Sequence, residues 1–130
     1  MLWQRENLDL KAASELRREL GEFIAEHCEP DEEAHLSAQL IIGELLSNVA
    51  RYASGPLSLE IEWEGRRPVL VLNDAGPGFE RELKLPPSTA ETGRGLYIVG
   101  TLAPRFHTDR LESGGTRFIV DLPTIRKLSD

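Results

Sequence analysis

A single cysteine, Cys28, stands among the 130 residues. No disulfide can form within the chain, and a reducing compartment suits it. The three histidines, His27, His35 and His107, lie far apart and leave no zinc-ligand spacing. Lysine is scarce, at Lys11, Lys84 and Lys127, so most of the positive charge is arginine. Arginine suits planar, bidentate contacts to carboxylate or phosphate, although scattered surface arginines are the ordinary alternative. The net charge of -7 argues against a phosphate-backbone binder, which would carry a basic stripe, so no nucleic acid is expected. No apolar run of about eighteen residues is present, so no membrane partner or span is expected. The first residues, Met1 to Asn7, show no apolar stretch of the signal-peptide kind. A cytoplasmic location follows as the expectation.

What is present is ordinary for a globular chain: 40% hydrophobic and 28% charged residues. The length suits one domain, taken as 1–130, built round one core with any site on it or beside it. No internal repeat or low-complexity tract interrupts it.

Periodicity predicts a helix over residues 9–27, capped by Asp9, with Leu16, Leu20, Phe23 and Ile24 at helical spacing. Pro30 and the acidic run Asp31-Glu32-Glu33 predict the start of a second helix, where carboxylates complement the dipole. Ala38, Ile41, Ile42, Leu45, Leu46, Val49, Ala50 and Ala53 keep its 3.6-residue period, and Ser54-Gly55-Pro56 stops it. Leu57 to Trp63 alternates as a half-buried strand does, and Glu64 to Arg67 reads as a hairpin turn. Pro68 to Asn73 is more continuously apolar, which predicts a more central strand. Residues 74–92, broken by glycine and proline, read as a long functional loop. A third helix is expected to start near Gly93-Arg94-Gly95 and to cover Leu96 to Leu102. Phe106 to Leu111 and Thr116 to Leu122 then form a closing hairpin around Ser113-Gly114-Gly115. Helices on one face of a mostly antiparallel sheet make a two-layer α/β sandwich.

Four segments could carry chemistry. Glu44 and Asn48 are one helical turn apart on one face, about 100° from the centre of the apolar stripe. A carboxylate there can accept a proton, and an amide oxygen is a hard ligand suited to Mg²⁺. Taken alone, the pair reads as a solvated one. Asp74-Ala75-Gly76-Pro77-Gly78 follows a buried strand. The carboxylate could accept from an exocyclic amine such as that of adenine, and the glycines permit close backbone approach; an ordinary strand-exit turn reads equally well. Gly93-Arg94-Gly95-Leu96 opens a helix, where free N–H groups and the dipole favour phosphate and Arg94 could add a charge-assisted contact. A lone Gly-x-Gly is weak, and neither a dinucleotide fingerprint nor a Walker lysine motif is present. Gly114-Gly115-Thr116, taken by itself, is a hairpin turn.

Order and spacing add what the pieces lack. Glu-x-x-x-Asn on a helix, Asp-x-Gly-x-Gly after a strand, Gly-x-Gly-Leu opening a helix and Gly-Gly-Thr before a strand together resemble the GHKL (Bergerat-fold, histidine-kinase-like) ATPase superfamily, over residues 31–123. Within it, the segment Glu44 to Ala53 and the run Gly93-Arg94-Gly95-Leu96 look most like the anti-sigma factor serine/threonine kinases. Tyr52 stands where that family usually has histidine, and its place near the apolar stripe points to packing.

The resemblance implies an α/β two-layer Bergerat sandwich: a mixed, mostly antiparallel sheet covered on one face by three helices. It implies ATP and Mg²⁺ as cofactors. Asp74 would receive the adenine amine with Thr116 helping, Asn48 would hold the metal, and Gly93, Arg94, Gly95 and Leu96 would cradle the phosphates. Gly76 and Gly78 would hinge a lid over 79–92, and Glu44 would be the general base for a serine or threonine hydroxyl. The implied partners are a STAS-type anti-anti-sigma protein, which is phosphorylated, and a sigma factor; a homodimer also fits. Three rival readings stay open: an ATP-binding module that sequesters a partner without phosphorylating it, a stand-alone ATP hydrolase, and a histidine-kinase catalytic piece acting on a separate chain.

Overall fold

The computed structural model describes residues 1–52, 56–74, 91–112 and 114–128; the side chains of residue 52 and of residues 91–96 lie outside the description. Along the chain run β1 (Leu2–Arg5), α1 (Leu10–His27), α2 (Glu32–Tyr52), β2 (Leu57–Glu64), β3 (Arg67–Asp74), α3 (Glu91–Leu102), β4 (Phe106–Arg110) and β5 (Thr116–Asp121).

Local chemistry accounts for the helix ends. The Asp9 carboxylate accepts from the Ala12 amide at 2.8 Å and caps α1. Asp31 does the same for α2 through the Ala34 amide at 3.1 Å, with Glu32 and Glu33 in the first turn. The helix α3 starts at Glu91, two residues before the predicted start. Its first turn therefore contains Gly93 instead of following it. Each helical glycine costs only about 1 kcal/mol, so Gly93 does not bar this extension.

The sheet order is β1-β2-β3-β5-β4. Every pairing is antiparallel among the described residues, which corrects the expected mixed sheet. The β2–β3 link is a two-residue hairpin turn with Gly65 at φ +65°, a conformation glycine adopts without the penalty of a side chain. The strand β1 was not expected. Four residues with the pattern Leu-Trp-Gln-Arg carry too little periodicity to announce a strand; pairing with β2 supplies what the local pattern does not.

Register builds the core in rows, because residues directly opposite share a face. Ile61, Leu70 and Val120 form one row, and Leu59, Leu72 and Phe118 the next. All six are buried and meet Leu16, Leu20 and Ile24 of α1, Ile42, Leu45 and Val49 of α2 and Val99 of α3. Each such side chain contributes about 1.5–3 kcal/mol of burial. The central place of β3, bonded on both sides, matches its continuous apolar run. At the far end, a C-terminal strap ties the layers. The Ile125 carbonyl accepts from the Glu29 amide at 2.8 Å, and the His27 carbonyl from the Lys127 amide at 2.9 Å.

Candidate functional site

Chain direction collects the candidate residues at one end of the sandwich. The helix α2 leaves at Tyr52 and β2 begins at Leu57, which lies opposite Asp74. Asp74 in turn lies opposite Thr116, the first residue of β5. Arg5, Leu57, Asp74, Thr116 and Arg110 thus form a single row across all five strands, just above the Leu59–Leu72–Phe118 layer. The helix α3 begins at the same end, since its C-terminus leads into Phe106, opposite Val120 two rows below.

This row breaks the apolar pattern of the face beneath it. Asp74 is 2% exposed and Thr116 8%, both on the helix-covered side. A carboxylate in such a place is costly unless it meets a donor. It provides a strong acceptor facing the layer interface, beside a hydroxyl able both to donate and to accept. The pair was legible in the sequence only as two separate turns; the register makes it one constellation.

On α2, Asn48 is 3% exposed, not at a solvated edge as its helical angle suggested. The packing of α3 against α2 widens the covered face beyond the apolar stripe. The Asn48 amide nitrogen donates to the Glu44 carbonyl at 2.9 Å. That bond fixes which side-chain atom is the oxygen, since only the NH₂ group can donate. The oxygen, Oδ1, is buried and accepts no hydrogen bond among the described residues. A buried amide oxygen without a donor costs about 1–3 kcal/mol. Such an atom suits a hard cation, which needs oxygen ligands and no proton. Glu44, one turn earlier, is half-buried and so reaches both the covered face and solvent.

Gly93 lies in the first turn of α3, where helix N–H groups lack intrahelical acceptors, and Gly95, the fifth helical residue, lies just past it. The side chains of Arg94 and Leu96, and the residues Gly76 and Gly78 with the expected lid, lie outside the described residues. Among those residues, no cluster of three or more His, Cys, Asp or Glu side chains could hold a metal.

A cavity of about 430 Å³ opens at this end, lined in part by Arg5, Glu6, Leu57, Asn73, Asp74 and Leu111. Its size is that of a small-ligand site. Arg5 and Leu57 were not among the sequence candidates. Their sole signal is position: both share the Asp74 row, which nothing short of the β1–β2–β3 register reveals. Arg5 is held by Glu19 of α1 at 3.2 Å, so the strand β1 and the helix α1 are joined beside the cavity.

An Asp–Thr pair at the sheet end, an asparagine with an unmet oxygen on the covering helix, and a glycine-bearing helix start share one end of the fold. Residues 7–121 match the model of the histidine kinase-like ATPase domain. The chain belongs to this family. Two solved structures of the catalytic domain of the histidine kinase ThkA, both nucleotide-free, share the fold. One gives a TM-score of 0.54 at 16% identity and covers 98% of this chain and 99% of that one. The other gives 0.53 at 19% identity and covers 95% and 97%. At these identities the likeness speaks for the architecture alone. No curated protein matches the chain. As a histidine kinase-like ATPase domain, it is an α/β, ATP-binding module with an antiparallel five-stranded sheet. No helix among the described residues is long and apolar enough to cross a membrane.

Proposed function

We propose that this domain is an anti-sigma-factor-like serine/threonine kinase, which transfers the γ-phosphate of ATP to a hydroxyl of a STAS-type partner and thereby regulates a sigma factor. The observation that carries the nucleotide part is the Asp74–Thr116 pairing, buried and in register at the open end of the sheet. A carboxylate and a hydroxyl side by side recognise an amine-bearing base edge such as that of adenine.

Asn48 fits a magnesium ion because its buried Oδ1 lacks a donor and its amide nitrogen is already engaged. When bound, the ion neutralises phosphate charge. The acceptor hydroxyl oxygen attacks the γ-phosphorus, the bond to the β–γ bridging oxygen breaks, and ADP leaves. Glu44 takes the hydroxyl proton. Its place one turn from Asn48 supports this role, and phosphoryl transfer asks the protein mainly for positioning and charge neutralisation. Gly93, Arg94, Gly95 and Leu96 would hold the phosphates from the α3 start, and Gly76 and Gly78 would hinge the segment between. In a reducing cytoplasm, buried Cys28 stays a thiol.

The test is phosphate transfer from labelled ATP to a STAS-domain protein. Glu44→Ala should reduce transfer by at least about 100-fold, the usual contribution of a general base, while ADP affinity stays within about threefold. Full transfer by Glu44→Ala would remove Glu44 from its role. Tight ATP binding by wild type with no transfer to any hydroxyl would leave a sequestering module in place of a kinase.

A further inference from the structure

At the end of the fold away from Asp74, the start of α2 and the C-terminal strap line a cavity of about 500 Å³. The space is that of a small-molecule site. Its polar lining carries both signs of charge. Asp31 stands on the α2 side, and Arg67, the first residue of β3, on the sheet side. No ion pair joins them, and neither has another ion-pair partner among the described residues. One Asp31 oxygen caps α2 through the Ala34 amide, which leaves the other without a donor among those residues. Arg67 uses Nη1 for the Leu122 and Thr124 carbonyls, and its Nη2 and Nε meet no acceptor among them. In a fold where Arg5, Arg66 and Arg105 each hold a carboxylate, two opposite charges on one cavity that do not close on each other are unusual.

A third group backs the same cavity. Thr124 is 4% exposed, and its Oγ1 has no hydrogen-bond partner among the described residues. A hydroxyl held out of water normally finds one. The rest of the wall is largely apolar, from Pro30, Ala34, Pro123 and Ile125, the last of them 41% exposed. An inorganic anion would meet Arg67 but bring its charge beside Asp31. A metal cation would meet Asp31 and bring its charge beside Arg67. A molecule with both charges on one short frame satisfies the two sides at once.

We propose that this cavity binds a free α-amino acid with an apolar side chain. Its ammonium donates to the Asp31 carboxylate, and its carboxylate accepts from the remaining Arg67 N–H groups and from the Thr124 hydroxyl. Its side chain lies against the two prolines and Ile125. Glu29 also lines the space but is already paired with Arg66 at 2.9 Å, so Asp31 is the carboxylate left for the ammonium. Asn48 lies about 24 Å farther along α2, at 1.5 Å per residue, and binding here does not depend on the nucleotide chemistry.

The experiment is an amide NMR titration of the full chain with L-leucine, L-isoleucine, L-valine, L-methionine and L-phenylalanine. The N-acetyl form of the tightest binder, which lacks the ammonium, and its amide, which lacks the carboxylate, serve as controls. Wild type should show saturable shifts centred on Asp31, Ala34, Arg67 and Thr124, and each blocked form should bind at least about tenfold more weakly. Asp31→Asn keeps the helix cap, since asparagine caps as well as aspartate, and should weaken binding about 10- to 150-fold, the worth of a hydrogen bond to a charged group. Thr124→Val removes a hydroxyl that has no internal partner among the described residues; its ligand-free melt should stay level or rise while affinity falls about 2- to 12-fold. The proposal is overturned if none of the five amino acids shifts the spectrum or if the shifts map elsewhere. It is also overturned if a blocked form binds as tightly as the free amino acid, or if either variant binds as wild type does.

Discussion

Asn48→Ala separates a residue kept for function from one kept for stability. The substitution removes the amide bond to the Glu44 carbonyl, a loss of about 0.5–1.5 kcal/mol. It leaves a small void worth about 1 kcal/mol. Against these stand two gains. The buried Oδ1 without a donor disappears, which returns about 1–3 kcal/mol, and alanine improves helix propensity by roughly 0.7 kcal/mol. The terms nearly cancel, so the variant should unfold within about 1 kcal/mol of wild type, or about 5 °C in Tm. This is measured by thermal melting in EDTA without nucleotide. Calorimetry with ADP should then show the functional cost. Magnesium should strengthen ADP binding to wild type, and that increment should fall by at least about tenfold in the variant, with magnesium-free binding unchanged. A loss of more than about 3 kcal/mol in the melt would show that the amide is a structural bond and that Oδ1 has a partner it needs. An undiminished magnesium effect would remove Asn48 from the metal.

Three further outcomes follow from the same geometry. Asp74→Asn keeps the shape of a 2%-exposed side chain and removes its charge; calorimetry should show ADP affinity about 10- to 150-fold lower, the worth of a hydrogen bond to a charged group, and unchanged affinity would remove Asp74 from the base site. Phe118→Ala empties the β5 position of the Leu59–Leu72–Phe118 row and should cost about 3–5 kcal/mol in urea unfolding with an unchanged m-value; a cost below about 1 kcal/mol would show that the layers do not meet there. The Glu62 carboxyl lies above its ordinary value of 4.5, first because it hydrogen-bonds Glu60, then through burial and the Glu60 charge, with Arg117 acting the other way. A raised folded-state pKa means the folded chain holds the proton longer, so this pair's contribution is present below about pH 4.5 and is lost as pH climbs through the raised value. Glu62→Gln should flatten that part of the stability–pH curve, and an unchanged slope would refute the coupling.

Periodicity and cap chemistry made much of the fold legible from residues alone. Asp9, the acidic start of α2, the β2 alternation and the continuous β3 run are local facts, because helix and strand each impose their own repeat on one short segment. The motifs were legible for the same reason, as residue types at fixed offsets. Three things were not. The strand β1 exists because β2 offers it an edge, and four residues cannot announce that by pattern. The burial of Asn48 depends on α3 packing beside α2, which no helical wheel of α2 contains. The row Arg5–Leu57–Asp74–Thr116–Arg110 joins residues tens of positions apart. Local preference is written in neighbours along the chain; the pairing of distant segments is decided by the shared apolar layer they must bury, and only that three-dimensional compromise determines which polar groups end up facing one another.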